Sequence, residues 1–413
     1  MMAKLKSQIE RMFSQGPMIF VRLTIPFLVM SIQNALKTVP DTSKNVFCTL
    51  DDEYLFRDDD GHGRYAYWLL YIFNKMGYTI YFYRQVNLVG FKRLGYCGRY
   101  IYALKNLKIV DRVPEKTEEM IYVFDEPRDE FLERSWKKLV YVNIVRPADY
   151  RFGEVIEMPF SMHPMQYHFN QPEKIYKLRQ RPRKLRIFFG GNTTKEAYQS
   201  KSVPQYGQLN RHEATEIITQ AIPETQVVTS LDDLNTLLNQ NGFVNKFILL
   251  KAEKSGQLKT EDWLSTVALS QFFMCFSGTT RPMCHNAIEA MAVGTIPIIS
   301  YNDWFFPALE HMKNAIVYSG KEDLIVKIRQ VLEMPLSKVE EMSKNVTQYY
   351  DRYLEPVYLQ ERFEKNQEKV CTLMLFPKVI LSEKQEAKVK FIKEGISRYL
   401  ESIRFTSQYG RKF

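Results

Sequence analysis

Two charged residues interrupt the mostly apolar stretch from Phe272 to Ser300. Arg281 stands in a polar loop just before a helix-like segment, and Glu289 lies two turns into that segment. Because burial of an unpaired charge is costly, each of them needs a protein partner, solvent or a ligand. A guanidinium beside a helix N-terminus suits a diphosphate, and a carboxylate accepts hydrogen bonds from sugar hydroxyls. The two residues therefore predict a nucleotide-sugar site, unless Glu289 lies on a solvated helix face and Arg281 only caps the loop.

The elements that must position these side chains are a strand, a loop, a helix and a second strand. The apolar run Phe272 to Phe276 predicts the first strand, and the turn residues Gly278 to Thr280 end it. Pro282 fits a first helical turn, Gly294 fits a C-terminal cap, and residues 295–300 are strand-like. This order places the loop and the helix N-terminus at the carboxyl ends of parallel strands, where nucleotides bind in α/β sheets.

Two motifs extend this interpretation. The first combines Arg281-Pro282, Glu289-Ala290, residues 294–299 and Asp303; the second is the strand and loop from Arg186 to Asn192. Together they resemble the GT-B glycosyltransferases, and most nearly their exostosin-like group, over roughly residues 184–310. The resemblance implies an α/β fold of two Rossmann-like domains that face each other across a cleft, with C-terminal helices crossing back. It also implies inverting transfer of a sugar from a nucleotide-diphosphate donor to a hydroxyl of a glycan or lipid-linked glycan.

Five further residues complete the predicted donor site. Gly190, Gly191 and Asn192 follow a strand, and their backbone can approach a phosphate or sugar closely, although a Gly-Gly turn is also a common structural device. Lys251 follows a predicted strand and can reach a phosphate, but a lysine at a strand end is more often solvated. Asn286, which precedes Glu289 in the same segment, is also included in the predicted donor site.

The amino-terminal half has its own informative loop, from Arg57 to Arg64, followed directly by a predicted helix from Tyr65 to Met76. Its glycines allow close backbone approach, and the helix directs its N–H groups into the loop. His62 is the predicted catalytic base for removing the acceptor proton, and Asp60 either orients it or is itself the base. The competing interpretation is a solvated acidic turn in which His62 only fills the loop.

The three adjacent aspartates Asp58 to Asp60 also suggest a site for manganese or magnesium. However, Arg281 and the helix N-terminus can neutralise the leaving diphosphate without a metal ion. We therefore predict no obligatory metal or cofactor, with the nucleotide-diphosphate sugar as co-substrate.

The domain boundaries follow from the distribution of these signals. We predict an N-terminal segment at 1–45, an acceptor-side Rossmann-like domain at 46–170, a linker at 171–184, a nucleotide-sugar-binding Rossmann-like domain at 185–345 and a C-terminal helical segment at 346–413. In the first domain, strand candidates alternate with one helix, which indicates a parallel sheet. The strand candidates are Val46 to Leu50, Thr79 to Tyr83, Ile121 to Phe124 and Leu139 to Val142.

Composition bounds the partners. The chain has 413 residues, enough for two ordinary domains, and a formal net charge of +10, which favours an anionic partner. A nucleotide diphosphate, an acidic polysaccharide or an anionic membrane fits this charge, whereas no nucleic-acid module is recognisable. The five scattered cysteines lack metal-site spacing and indicate reduced thiols in a cytoplasmic protein.

The two ends of the chain raise the question of membrane contact. The apolar stretch from Met18 to Ile32 is divided by Arg22 and Pro26, which predicts a soluble protein rather than an anchored one. Apolar residues at helical spacing between Val389 and Ile403 alternate with lysines and arginines. Such a helix either rests peripherally on the inner face of an anionic membrane or packs on the domain surface.

Two other functions stay open, and a basic nucleic-acid binder is a third. A fucosyltransferase-like GT-B enzyme would differ in its donor, and a non-catalytic glycan-binding protein on the same fold would bind no nucleotide.

Overall fold

The computed structural model describes residues 42–50, 62–83, 100–101, 103–143, 152–169, 172–198, 203–251, 258–279 and 281–375. Contacts within the chain divide it into two compact units. The first unit contains the chain up to Met158 and again from Leu359 onward, and the second unit is Pro159–Tyr358.

The first unit is built on a seven-stranded sheet of order β3-β2-β1-β4-β5-β13-β6. Its strands are β1 (Asn45–Thr49), β2 (Thr79–Tyr83), β3 (Leu107–Val110), β4 (Met120–Phe124), β5 (Lys138–Asn143), β6 (Glu154–Glu157) and β13 (Val370–Met374). Every neighbouring pair is parallel. The helices described in this unit are α1 (His62–Lys75) and α2 (Asp129–Leu132), and α12 (Pro356–Lys365) leads the chain back into it.

An aromatic cluster fills one face of this sheet. Phe47 on β1 stacks on Trp136 with ring centroids 5.4 Å apart, and Tyr122 on β4 stacks on the same indole at 4.8 Å. All three side chains are buried. Burial of such large rings contributes most of the favourable energy of a core, so residues of β1 and β4 hold the centre of the sheet in place.

The second unit is built on a six-stranded parallel sheet of order β12-β11-β10-β7-β9-β8. Its strands are β7 (Leu185–Gly190), β8 (Thr225–Val228), β9 (Val244–Leu250), β10 (Ser270–Met274), β11 (Ile296–Ile299) and β12 (Ile316–Val317). Its helices are α3 (Pro164–Phe169), α4 (Pro172–Arg179), α5 (Lys195–Tyr198), α6 (Arg211–Ala221), α7 (Leu231–Asn239), α8 (Thr260–Val267), α9 (His285–Ala292), α10 (Gly320–Leu332) and α11 (Leu336–Tyr353). Each unit is thus a Rossmann-like α/β domain with a parallel sheet, and the prediction of an α/β fold with two Rossmann-like domains is confirmed.

The strand order of the second sheet reverses between β7 and β10. From β7 the chain runs to β8 and β9 on one side, then crosses to β10, β11 and β12 on the other. In open α/β sheets the loops at the carboxyl ends of two such strands separate and leave a crevice for a ligand. The loop that begins at Gly190 and the loop that leads to α9 meet this condition.

Three sequence-based expectations differ from the structure. Residues 171–184 are not only a linker, because they contain α4, whose Ile175 and Leu178 are buried. Pro282 lies in the loop before α9 rather than in its first turn. The region beyond 346 is not purely helical, because β13 inserts between β5 and β6. By contrast, Gly294 does follow α9 with φ +74°, in the left-handed conformation that a C-terminal cap requires.

Within the described ranges, no helix is both long enough and apolar enough to cross a membrane. The stretch from Met18 to Ile32 and the basic segment from Val389 to Ile403 lie outside the described residues.

Candidate functional site

The loop after β7 brings the main chain close to a charged side chain. Gly191 has φ +155°, and a Cβ added there would lie 3.3 Å from Cζ of Phe189 and 3.4 Å from Nη1 of Arg211. Contacts of this length are tighter than most real Cβ contacts. A glycine therefore fits at this position, because it lets the exposed residues Gly191 and Asn192, which follow the buried Gly190 at the end of β7, lie directly against a guanidinium.

Arg211 is the first residue of α6 and only 6% exposed. Its Nη1 donates to the carbonyl oxygen of Asn192 at 3.2 Å, and its Nη2 lies 3.7 Å from Sγ of Cys284. The rings of Tyr198 and Phe189 flank the guanidinium, with centroids 4.7 and 5.5 Å from Cζ. Among the described residues, its Nε has no hydrogen-bond acceptor. Arg211 is therefore a buried cation held by aromatic rings, a carbonyl and a thiol, with one donor to spare.

The N-terminus of α9 lies beside this guanidinium. Its N-cap, Cys284, has an extended backbone and makes no capping hydrogen bond with its side chain. The loop before it is closed by a hydrogen bond of 3.1 Å from the Gly278 N–H to the Pro282 carbonyl, and it carries the half-buried Arg281. Asn286 is buried in the first turn of the helix. The structure thus brings Arg281 and Asn286 to the same helix terminus as Arg211.

The electrostatics of this arrangement favour an anion. The N-terminus of a helix carries the equivalent of about half a positive charge, so a cation placed there is repelled. A buried guanidinium without a carboxylate partner adds a desolvation cost. An anion with several acceptor oxygens in the crevice would interact favourably with both the helix N-terminus and the guanidinium, and would thereby offset both costs.

The sequence did not single out Arg211, although a signal for it exists. Asn210 and Glu213 form a capping pair, in which the Glu213 N–H donates to Oδ1 of Asn210 at 2.9 Å. Such an Asn-x-x-Glu pattern predicts a helix that starts at Arg211. An arginine in the first turn runs against the usual preference for acidic residues there.

Glu289 lies on α9 and is 1% exposed, so the interpretation as a solvated helix face is wrong. Its Oε1 accepts a hydrogen bond of 3.0 Å from the backbone N–H of His163, and its Oε2 accepts one of 2.6 Å from Nε1 of Trp263. The buried carboxylate therefore holds α8 and the segment before α3 against α9. Each carboxylate oxygen can accept further hydrogen bonds, and the predicted contact with sugar hydroxyls stays a prediction.

Lys251 follows β9 at the same edge of the sheet. Its Nζ lies 3.3 Å from Oε1 of Glu216 on α6, and the lysine side chain is 29% exposed. The ion pair holds the side chain close to α6, and its predicted phosphate contact stays a prediction.

The predicted catalytic residues belong to the first unit. His62 is the first residue of α1, and Asp60 lies outside the described residues, as do Asp58 and Asp59. The part of the chain that the structure describes holds no group of three or more His, Cys, Asp or Glu side chains arranged for a metal ion. The catalytic assignment and the absence of an obligatory metal stay predictions.

Four of the five cysteines fall in the described ranges, and all four are buried free thiols: Cys48, Cys275, Cys284 and Cys371. Burial raises the pKa of the Cys371 thiol to about 11, and burial likewise raises the pKa of Cys275. These two thiols are therefore protonated and serve as small core residues.

The sequence matches no protein-family model and no curated protein. Solved structures similar to the chain include Anabaena Alr3699/HepE in complex with UDP, at 12% identity, 78% coverage of this chain, 98% coverage of that chain and a TM-score of 0.44. T4 phage BGT in complex with UDP-glucose is similar at 10% identity, with 78% and 98% covered and a TM-score of 0.35. An E. coli structure described as trehalose-6-phosphate bound with UDP-2-fluoro glucose is similar at 10% identity, with 74% and 77% covered and a TM-score of 0.36. At these identities and TM-scores, the similarity carries no inference about activity.

Proposed function

We propose that the protein is a GT-B glycosyltransferase, of the exostosin-like kind, which moves a sugar from a nucleotide-diphosphate donor to a hydroxyl of a glycan or lipid-linked glycan. The observation that carries this proposal is the buried Arg211, whose Nε has no acceptor within the described part of the chain. It lies against a glycine loop and a helix N-terminus where the strand order of a parallel sheet reverses. A diphosphate is the anion that best fits this place. It offers several acceptor oxygens, and its nucleoside extends along the loops at the strand ends.

Donor activation follows from the same residues. When the bond between the sugar and the diphosphate breaks, negative charge grows on the leaving phosphate. Arg211, the N–H groups of the first turn of α9 and Arg281 would stabilise that charge without reorganising. Gly190, Gly191 and Asn192 would let the main chain approach the phosphates, and Lys251 would add positive charge from the neighbouring strand. Turnover in the presence of a chelator is expected, and strict metal dependence would contradict this account.

Acceptor activation would come from the first unit. α1 begins at His62, directly after the loop that follows β1, and the sheet of this unit also reverses its order at β1 and β4. A base there, His62 or Asp60, would remove the acceptor proton while the oxygen attacks the anomeric carbon. A single displacement of this kind inverts the configuration at that carbon.

Location at a membrane is a further part of the proposal. A cytoplasmic enzyme with a lipid-linked acceptor would benefit from contact between its basic C-terminal segment and the anionic inner face of a membrane. Sedimentation of the full chain with anionic vesicles at low salt tests this contact. A chain that stays in the supernatant contradicts it.

Calorimetry with UDP, GDP and a panel of nucleotide sugars tests the donor site. We expect one nucleoside diphosphate to bind and Arg211→Met to weaken it on the order of thirtyfold, since a charge-assisted contact to phosphate contributes about 2 kcal/mol. The matched control is Arg329→Met, which removes an exposed arginine of the same unit whose Nη2 donates to the Ala221 carbonyl at 3.3 Å. Glycan binding without any nucleotide binding would indicate a non-catalytic glycan-binding protein instead.

A further inference from the structure

Two imidazoles lie together at the N-terminus of α9. His285 is the first residue of the helix, and His163 immediately precedes α3. Their ring centroids are 5.6 Å apart, with an angle of 62° between the ring planes. Both side chains are half-buried, and both belong to the second unit. The pair therefore borders the place where the donor diphosphate is proposed to bind.

The His163 ring is held in one tautomer. Its Nδ1 accepts a hydrogen bond of 3.3 Å from the Met165 N–H, so in the neutral ring the hydrogen resides on Nε2. The backbone N–H of His163 donates to Oε1 of Glu289, which Trp263 fixes from the other side. Glu289 and Trp263 thus position the main chain of His163, and the neutral ring carries its hydrogen on Nε2.

His285 connects this imidazole to Arg211. Its Nδ1 lies 3.9 Å from Sγ of Cys284, and the same sulfur lies 3.7 Å from Nη2 of Arg211. Around the pair, α6 contributes the Arg211 cation, the N-cap contributes the Cys284 thiol, and α9 contributes the Glu289 carboxylate. The loop before α9 contains the half-buried Arg281. Trp263 on α8 is neutral.

In the absence of an anion, these surroundings disfavour a second positive charge. Arg211 and the N-terminus of α9 are already positive, and two adjacent imidazoles repel each other when both are protonated. A diphosphate reverses the sign of the local field, and an imidazolium then gains a charge-assisted hydrogen bond to phosphate oxygen. The Glu289 carboxylate favours an imidazolium, but it already accepts hydrogen bonds from the His163 N–H and from Nε1 of Trp263, and it is present with and without the ligand. The bound diphosphate is therefore what changes the charge around the pair. The two imidazoles interact, so the proton belongs to the pair rather than to either ring.

We propose that His163 and His285 together bind the diphosphate of the donor beside Arg211, and that the pair takes up a proton from solvent as the nucleotide sugar binds. This inference rests on the proposed function, because it assumes a diphosphate ligand at the same helix terminus. It adds to the proposed function two side chains from different segments of the chain that contact the diphosphate. It also adds a dependence of donor affinity on pH.

Calorimetry with UDP-glucose tests the inference, with GDP-mannose used if GDP rather than UDP binds. In UDP-glucose and in GDP-mannose, the diphosphate is esterified at each end. Neither ligand therefore has a phosphate group that titrates near neutral pH. Titrations at one pH in buffers of different ionisation enthalpy count the protons taken up. We expect uptake of up to about one proton near pH 7, and an affinity that falls by at most about tenfold per pH unit as the pH rises through the imidazole range.

Two variants locate the proton. His285→Gln removes one titratable ring, and His163→Asn removes the other while keeping an acceptor for the Met165 N–H. Each variant should reduce the uptake and flatten the pH profile. His311→Asn is the matched control, because its Nδ1 also accepts from a backbone N–H, that of Val317 at 3.0 Å, beside the edge strand β12. It should leave the proton uptake unchanged.

Three outcomes separate the possibilities. Binding of UDP-glucose or GDP-mannose without proton uptake overturns the inference and leaves the proposed function standing. Uptake that is unchanged in both histidine variants overturns it as well. If His163→Asn does not fold, His285→Gln alone decides. Binding of none of the nucleotides in the panel contradicts the proposed function itself.

Discussion

The two ends of α9 hold arginines in opposite circumstances. At the C-terminal end, Nη2 of Arg183 donates to the Val293 carbonyl at 2.8 Å, and Nε of Arg179 donates to the Ala292 carbonyl at 2.8 Å. At the N-terminal end, Arg211 touches the N-cap residue Cys284 and keeps an Nε without an acceptor among the described residues. The arginines at the C-terminal end of α9 thus donate to backbone carbonyls of that end. Arg211 at the N-terminal end keeps a donor without an acceptor among the described residues.

The helix dipole explains the difference. Cations at a C-terminus meet the free carbonyls of the last turn and are stabilised, whereas cations at an N-terminus are repelled. Burial lowers the pKa of Arg183 to about 10, which still leaves it charged at neutral pH. Its charge is stabilised by hydrogen bonds to carbonyl oxygens within the protein. The charge of Arg211 is stabilised only in part by the protein. This is expected of a residue that binds an external anion.

The sharpest test of this contrast is the stability of the ligand-free protein. Arg183→Met should lower the free energy of unfolding by about 3 kcal/mol, because the carbonyls of Val293 and Ala268 and the hydroxyl of Thr295 lose a charged donor. For a unit of this size, that corresponds to roughly 6–12 °C in the thermal midpoint. Arg211→Met should leave the midpoint unchanged or raise it, because it removes a cation from a helix N-terminus. Thermal unfolding followed by circular dichroism measures both. Equal destabilisation by the two variants would remove the distinction between the ends.

A smaller effect is expected from Glu289→Gln, which tests whether this carboxylate acts on the protein or on the ligand. Glutamine replaces one of the two acceptor oxygens with an NH₂ group, which donates and does not accept. Either the His163 N–H or Nε1 of Trp263 therefore loses its acceptor. We expect a loss of about 2 kcal/mol in unfolding free energy, since a buried donor is left without a partner. Thermal unfolding and UDP titration of the same samples check the expectation.

Glu216→Gln is the control for that substitution. Its carboxylate is 46% exposed and pairs with Lys251, so it should change stability by less than about 1 kcal/mol. Unchanged stability of Glu289→Gln together with lost nucleotide binding would mean that Glu289 serves the ligand rather than the fold.

Local pattern was sufficient to predict much of the fold. The strand predicted from Thr79 to Tyr83 has the observed bounds, because all five of its residues are β-branched or aromatic and it follows the turn at Gly77. The helix predicted from Tyr65 begins three residues earlier, at His62, and Gly294 caps α9 as predicted. In each case the residues that determine the element are neighbours in the sequence, and no distant partner is needed.

The features that were missed depend on distant partners. β13 pairs with β5, with Val370 opposite Leu139, and a short apolar run in a charged segment does not reveal that partner. α4 is recognisable only through its packing and through the two hydrogen bonds from Arg179 to Asp351, at 2.8 and 2.7 Å. From the sequence alone, Arg211 is expected to be a surface residue. Only the fold places Tyr198 and Phe189 around it. Burial of a polar residue is a property of the assembled unit, so the sequence suggested Arg281 and passed over the more deeply buried arginine.

The smallest expected effect comes from Gly191, the glycine that lies against Arg211. Gly191→Ala places a Cβ 3.3 Å from Phe189 and 3.4 Å from Nη1 of Arg211, at φ +155°. The guanidinium must shift by a few tenths of an ångström, and we expect nucleotide affinity to fall about fivefold, or about 1 kcal/mol. Gly207→Ala is the matched control, because Gly207 also has a positive φ, of +70°, but its Cβ would meet nothing within 4 Å. Both variants carry backbone strain, so similar losses of stability are expected, and only Gly191→Ala should weaken UDP in calorimetry. An equal loss of affinity in the two variants would mean that strain, rather than contact with Arg211, controls the loop.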